Sequence, residues 1–456
     1  MRGVLALFPI ACAMAGVAGV AQGQYPFQTG RPGTEYTPGH QGSPNIKVLS
    51  HLPLGGYLHV AEIDVEEELS RPYVYVAKRF HPTGVDIIHI ADPTKPKVIW
   101  EWRIEDSELT QGSGGLEVKY FKTKGRYYLV LSTQFQQGGP HVDLCAVVFD
   151  VTGLPDPKKV KEVRRLTIKD IPGGCHEIYT YKHSDGRALL VTTTTGPDAH
   201  VYDMDRFLAG EPGQGLIGKI PVATPQQNPE RLRGYHDFYV GYDPATRQDK
   251  FYGAGAGGYY VYDITKPETP KLLFSLAGVQ GVTYGHTFTP TPDGAYAVTE
   301  TEYQGAPLRI FDLRPGQEGK VQNINRPIAF WTANYRNLSH NHEVRWPYVF
   351  VSAYEDGLQV FNMMDPYNPF TVGYFDTYDG PHQSRGINNV NMGAWGVDVR
   401  NADGLIVVSD MMTGFWAFKM DGFDGWNGRQ WGMPNVSSAQ DWDNGPDGAP
   451  KPQKVS

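Results

Sequence analysis

The phrase YVFVSAYEDGLQVFNMMDPYNPFTVGYFDT, from Tyr348 to Thr377, recurs in altered form along most of the chain. It contains three short runs rich in aromatic and β-branched residues, Tyr348–Ala353, Leu358–Asn362 and Phe370–Phe375, separated by a Glu-Asp-Gly turn and an Asp-Pro…Pro turn. Runs this short are not buried helices, and their residue types suit a pleated, half-buried surface, so each reads as a strand. Related phrases begin at Tyr73, Tyr127, Ala188, Lys250, Ala295 and Leu405, giving seven copies of strand, turn, strand, acidic turn and usually a further strand. An antiparallel unit repeated every 40 to 60 residues or so buries its faces only against its neighbours, which predicts an all-β, seven-bladed β-propeller.

A ring needs a closure. The segment Asn45–Leu54, NIKVLSHLPL, has the character of the outer strand that the seventh copy lacks after Phe415–Met420. Pairing the two ties the chain ends by main-chain hydrogen bonds and makes residues 45–420 a single domain, preceded by an extended segment (24–44) and followed by an irregular tail (421–456) containing Trp426 and Trp431. Residues 1–23 carry Arg2, an apolar alanine-rich run and Ala21-Gln22-Gly23, which reads as a signal peptide; Cys12, in Pro-Ile-Ala-Cys, lacks the leucine of a lipobox. The expected location is periplasmic or extracellular. No later run is long and apolar enough for a transmembrane segment.

The endings YVFVSAYEDGLQVFNMMDPYNPFTVGYFDT and GAWGVDVRNADGLIVVSDMMTGFWAFKM resemble the LVIVD-repeat, choice-of-anchor-B group of secreted bacterial propellers over the last two blades, with a looser rhythm elsewhere. That resemblance implies a propeller outside the cytoplasm and carries no reaction with it.

Composition narrows the partners. Lys and Arg number 41 against 49 Asp and Glu, and with no basic face there is no electrostatic footprint for nucleic acid or an anionic membrane. The basic run Asp156–Asp170 reads as a solvated outer strand. Gly253-Ala254-Gly255-Ala256-Gly257-Gly258 matches a phosphate loop in composition alone, because no helix follows it. Cys145 and Cys175 fall in or next to consecutive blades; an oxidising compartment permits a bridge between them, and two separately buried small hydrophobes is the default reading.

Four histidines recur just ahead of the strand pair in consecutive copies: GGCHEIYTY (His176), RGYHDFYVG (His236), TYGHTFTPT (His286) and SHNHEVRWP (His342). If blades superpose, they hold one equivalent position on blades three to six, and the innermost strand of each blade lines the central channel. Blade two offers Leu116 there and blade seven Trp395, while His59 of blade one lies one slip away. Neutral imidazoles from several blades suit a transition metal (Cu, Fe or Zn) with a coordination position left for substrate. Glu177, Asp237 and Glu343 follow three of the histidines; strict strand alternation points them away from the imidazoles, towards a supporting role. His340, two residues before His342, is a fifth candidate ligand, and His141, Tyr235, Tyr284, His382 and Arg385 are candidates for the channel mouth. In general plan this resembles the carotenoid-cleaving oxygenases and the selenium-binding, methanethiol-oxidising propellers, although no motif of either is matched. The competing interpretation is that each histidine hydrogen-bonds within its own blade and only locks packing.

Two functions follow from these alternatives. One is a metal-dependent oxidase or oxygenase of a small or apolar molecule. The other is a non-catalytic propeller whose rims bind protein or polysaccharide.

Overall fold

The computed structural model of the protein describes residues 41–223, 233–334, 338–378, 392–428 and 441–443. Residues 1–40, His382, Arg385, Trp431 and most of the C-terminal tail therefore lie outside the described part. Within it, seven antiparallel four-stranded sheets follow one another as the blades of a β-propeller.

Blades one to six are continuous in sequence, with inner strands Val60–Val65, Gly114–Thr123, Ile178–Lys182, Tyr235–Asp243, Phe288–Pro290 and Asn341–Arg345. Blade seven begins at Ala394–Val399 and takes its outermost strand, Ile46–Leu52, from the other end of the chain. Ile46 pairs with Met420 and Leu52 with Phe415, so the closure expected from NIKVLSHLPL is present, its ladder shifting register once between Val48 and Ser50.

Alternation explains the burial. The middle strands, such as Leu144–Asp150 and Ile406–Asp410, are buried on both faces because they meet the next blade on each side. The outer strand Lys161–Thr167 keeps its Lys and Arg at the surface, as the charged run at 156–170 predicted. The two described parts of the C-terminal segment pack down: Trp426 donates Nε1–H to the carbonyl of Trp346 at 2.8 Å, and Trp442 stands against Tyr120 and Phe121.

Cys145 and Cys175 form a disulfide, with Cα atoms 4.7 Å apart. The default of two separate buried thiols is thus corrected. The bridge joins the third strand of blade two to the residue that precedes His176, across the blade boundary. Gly174, beside it, has φ of 79°, and a Cβ there would come within 2.1 Å of the Thr133 carbonyl. Only glycine fits so close an approach at positive φ.

Candidate functional site: an imidazole tier over a carboxylate tier

The inner strands of blades one, two, four and seven enter the channel through an irregularity. In blade four, Tyr235 pairs with Gly255 and Asp237 with Ala254, leaving His236 as an extra residue. Blade seven does the same, with Ala394 opposite Asp410 and Gly396 opposite Ser409, so Trp395 is the extra residue. Blades one and two show the same slip, between Val60 and Ile63 and between Gly115 and Val118. A hydroxyl from the second strand receives the displaced amides. Thr193 Oγ1 accepts from the amides of both His176 and Glu177 at 2.9 Å, and Ser132, Ser352 and Ser409 accept from Glu117, Asn341 and Gly396 at 2.8, 3.2 and 3.0 Å.

A bulge of this kind breaks strict alternation. Consecutive residues then both reach the axis, and the same small cavity is lined by His176 and Glu177 and by His236 and Asp237. The expectation that Glu177 and Asp237 face away from the histidines is corrected on this ground. Two tiers result. The upper holds His176, His236, His286 and His340, completed by Trp395 and Leu116; the lower holds Glu62, Glu117, Glu177, Asp237 and Asn341. The space between them is ≈ 10 Å³, room for one water-sized or ion-sized occupant.

The imidazoles form a continuous arc. Ring centroids are 4.4 Å apart for His176 and His236, 4.0 Å for His236 and His286, and 4.9 Å for His286 and His340; Trp395 follows 4.1 Å beyond His340. The sequence expectation placed His342 fourth. In the structure His340 occupies that position, while His342 turns aside, its Nδ1 3.4 Å from a Glu300 carboxylate oxygen. His340 stands just ahead of the ladder, which runs in unbroken register from Asn341 opposite Ser352, and its amide bonds the Ser352 carbonyl at 2.9 Å.

Three of the four imidazoles have Nδ1 engaged by a fixed partner. His340 Nδ1 donates to the Trp395 carbonyl at 2.7 Å, and His176 Nδ1 meets Gln134 Oε1 at 3.0 Å. His286 Nδ1 lies 2.8 Å from Thr287 Oγ1, which in turn reaches Asp237 at 3.1 Å. Such contacts orient the rings and leave Nε2 with its lone pair. Nε2 of His286 and Nδ1 of His236 are buried with no hydrogen-bond partner. One ligand-type atom from each of His236, His286 and Glu302 falls within 4.8 Å of the others, so a small inward movement would give them a shared cation.

Burial, reinforced by Arg233 and the neighbouring imidazoles, holds His176 and His236 well below the usual imidazole range; burial also lowers His340, to about 3. These rings are neutral at pH 7, the form that binds metals. The lower tier moves the other way. Burial and then the Glu117 charge push Glu62 and Glu177 well above the usual carboxylate range and raise Asp237 to about 7. The cation of this tier is Lys119, 2.9 Å from Glu117. Without an added cation, several of these carboxyls retain protons that an incoming ion would displace.

Other candidates are more remote. His59 contacts the Pro82 carbonyl and His141 the Glu105 carbonyl; neither lines the axial cavities. Tyr235 is buried, with its hydroxyl donating to the Pro221 carbonyl. Glu343 pairs with Arg345 at 2.6 Å. Tyr284 stacks edge-on to His236 at 6.1 Å and bonds Arg233. Residues that sequence reasoning missed are Glu62, Glu117, Asn341 and Glu302. Glu62 and Glu117 carried a signal in the parallel wording AEIDV, LEVKY and HEIYT.

A solved structure to which the chain is similar is that of Raptor from Chaetomium thermophilum, with a TM-score of 0.55 and 9% identity over 83% of this chain. The chain spans 30% of the length of that protein, and the likeness is one of fold. No family model matches the chain, and no curated protein matches it.

Proposed function

We propose that the imidazole tier binds one first-row transition metal and that, with the redox-active Cu or Fe rather than Zn, the protein is a metal-dependent oxidase or oxygenase acting outside the cytoplasm. The observation that carries this reading is the pairing of Nδ1 on His176, His286 and His340 with fixed oxygen partners, which leaves three lone-pair nitrogens on one arc. The Nδ1 of His236 is buried without a hydrogen-bond partner and the Nε2 of His286 has the Glu302 carboxylate at 3.4 Å, so both nitrogens would gain from a ligand. When bound, the metal would supply Lewis acidity or one-electron chemistry. The chain's own residues would set the ring orientations, exclude bulk water below the tier, and retain protons on Asp237 and its neighbours. An open cavity over His176 and His236 provides room for a substrate. The disulfide suits an oxidising compartment, as do the leader-like residues 1–23 and the likeness to LVIVD-repeat propellers.

The test is elemental analysis of protein purified without added metal, followed by oxygen-uptake assays of the metal-replete sample. Near-stoichiometric metal that is lost in His236→Ala and His286→Ala supports the site. A folded, metal-free protein that stays empty on titration refutes it. Metal without oxygen uptake on any substrate class would make the non-catalytic binding propeller the better account.

A further inference from the structure

Above the imidazoles the channel widens into a cavity of ≈ 430 Å³. Its lining is polar for a pocket that would hold an apolar molecule: Ser113, Gln134, Gln136, Arg79, Arg233 and Glu302 outnumber Leu58 and Trp395, with His176 and His236 at the floor. Arg79 carries the argument. Its guanidinium lies over the Trp395 ring at 4.6 Å and the Phe80 ring at 4.9 Å. Its Nε is buried without a hydrogen-bond partner, and its acidic neighbours Tyr354 and Glu302 act on it by charge. Burial lowers its pKa, the signature of a cation held out of water.

A guanidinium held between aromatic faces, with Nε unpaired and Glu302 acting on it only by charge, leaves free energy that a hydrogen-bonding acceptor can recover. Arg233 adds a second positive charge on the wall of the same cavity, and both arginines bear on His176. A metal in the tier would increase the positive potential further.

Building on the metal reading above, we infer that the vestibule selects small organic acids, with Arg79 as the residue that receives the substrate carboxylate. The planar guanidinium matches a carboxylate fork, which a neutral amide or an alcohol cannot reproduce. Trp395 would pack against the carbon frame, and the rest of the molecule would point to His176 and His236. The expectation of a small or apolar substrate narrows, on this inference, to a small anionic one.

Calorimetric titration tests this, with benzoate, acetate and succinate as carboxylate probes, benzamide as the neutral isostere and inorganic phosphate as the competing oxyanion. At least one carboxylate should bind, and benzamide should bind roughly tenfold or more weakly than benzoate. Arg79→Gln should weaken the carboxylate by a similar factor at unchanged metal content, with Arg79→Lys in between. The titrations are repeated on His286→Ala protein. Carboxylate binding that persists there while metal is absent or lost separates this inference from the metal reading, and normal metal content with no binding of any of the three acids overturns the inference alone. Equal binding of benzamide and benzoate, tighter binding of phosphate, or an unaltered Arg79→Gln would also overturn it.

Discussion

The disulfide permits a prediction that can be worked from the chain itself. Cys145 and Cys175 are separated by 30 residues and both are fully buried. Cross-linking a loop of that length removes chain entropy from the unfolded state equivalent to about 3.6 kcal/mol at 25 °C. Replacing both cysteines by alanine should therefore lower unfolding free energy by about 3 to 5 kcal/mol, the upper end including the small loss of buried sulfur volume. Native backbone geometry near the site should largely survive, since the Cys175 amide also bonds the Thr133 carbonyl at 2.8 Å and the His176 amide bonds Thr193. Metal affinity should fall less than stability does. Urea unfolding of wild type and double variant, with and without reductant, measures the difference. The reasoning fails if the two midpoints coincide under oxidising conditions, or if mass spectrometry of unreduced protein finds no peptide linking Cys145 to Cys175.

Three further outcomes follow from side-chain detail. Thr193→Val should destabilise by roughly 2 kcal/mol because two buried amides lose their acceptor, whereas Thr192→Val, whose hydroxyl has no partner, should be neutral or stabilising; chemical denaturation distinguishes them. His340→Ala should reduce metal occupancy as His236→Ala does, while His342→Ala should retain it, and equal losses measured by elemental analysis would contradict the arc. His200 is buried and held down to about 4, below its unfolded value of about 6.5, so the unfolded chain binds the extra proton first and stability is lost as pH falls between those values. His200→Gln should remove up to roughly 3 kcal/mol of that acid lability, seen as a melting-temperature difference that grows from pH 6.5 to pH 4.5.

The ring was legible because its period is carried by composition: every blade repeats aromatic and β-branched runs with acidic turns, and closure followed from one orphan strand matching one missing strand. The histidine tier was legible for His176, His236 and His286. It failed at blade six because His342-Glu343-Val344 matches the His-acid-hydrophobic wording of His176-Glu177-Ile178 better than His340-Asn341-His342 does. Wording follows the chain, whereas position follows the local register, which a Ser or Thr of the second strand supports in blades two, three, six and seven. That same feature hid the carboxylate tier, since alternation sends Glu177 outward and the slip brings it in. The disulfide was hidden for a related reason: its two ends belong to different blades, and only the packing of neighbouring sheets sets their 4.7 Å approach.

The closing strand has a consequence for the axis. The four imidazoles of the arc come from blades three to six, residues 176 to 340, one from each blade. Their spacing is therefore a property of the ring's circumference, which the Ile46–Leu52 ladder holds at seven sheets. A ring opened at that seam would relax outward and lengthen each of the 4 to 5 Å ring-to-ring steps a little, and an ion requiring all of them would sense the sum. Under the proposed metal reading, an ion held by the arc would act as a gauge of hoop tension, registering at the hub whether the strand at the rim is engaged.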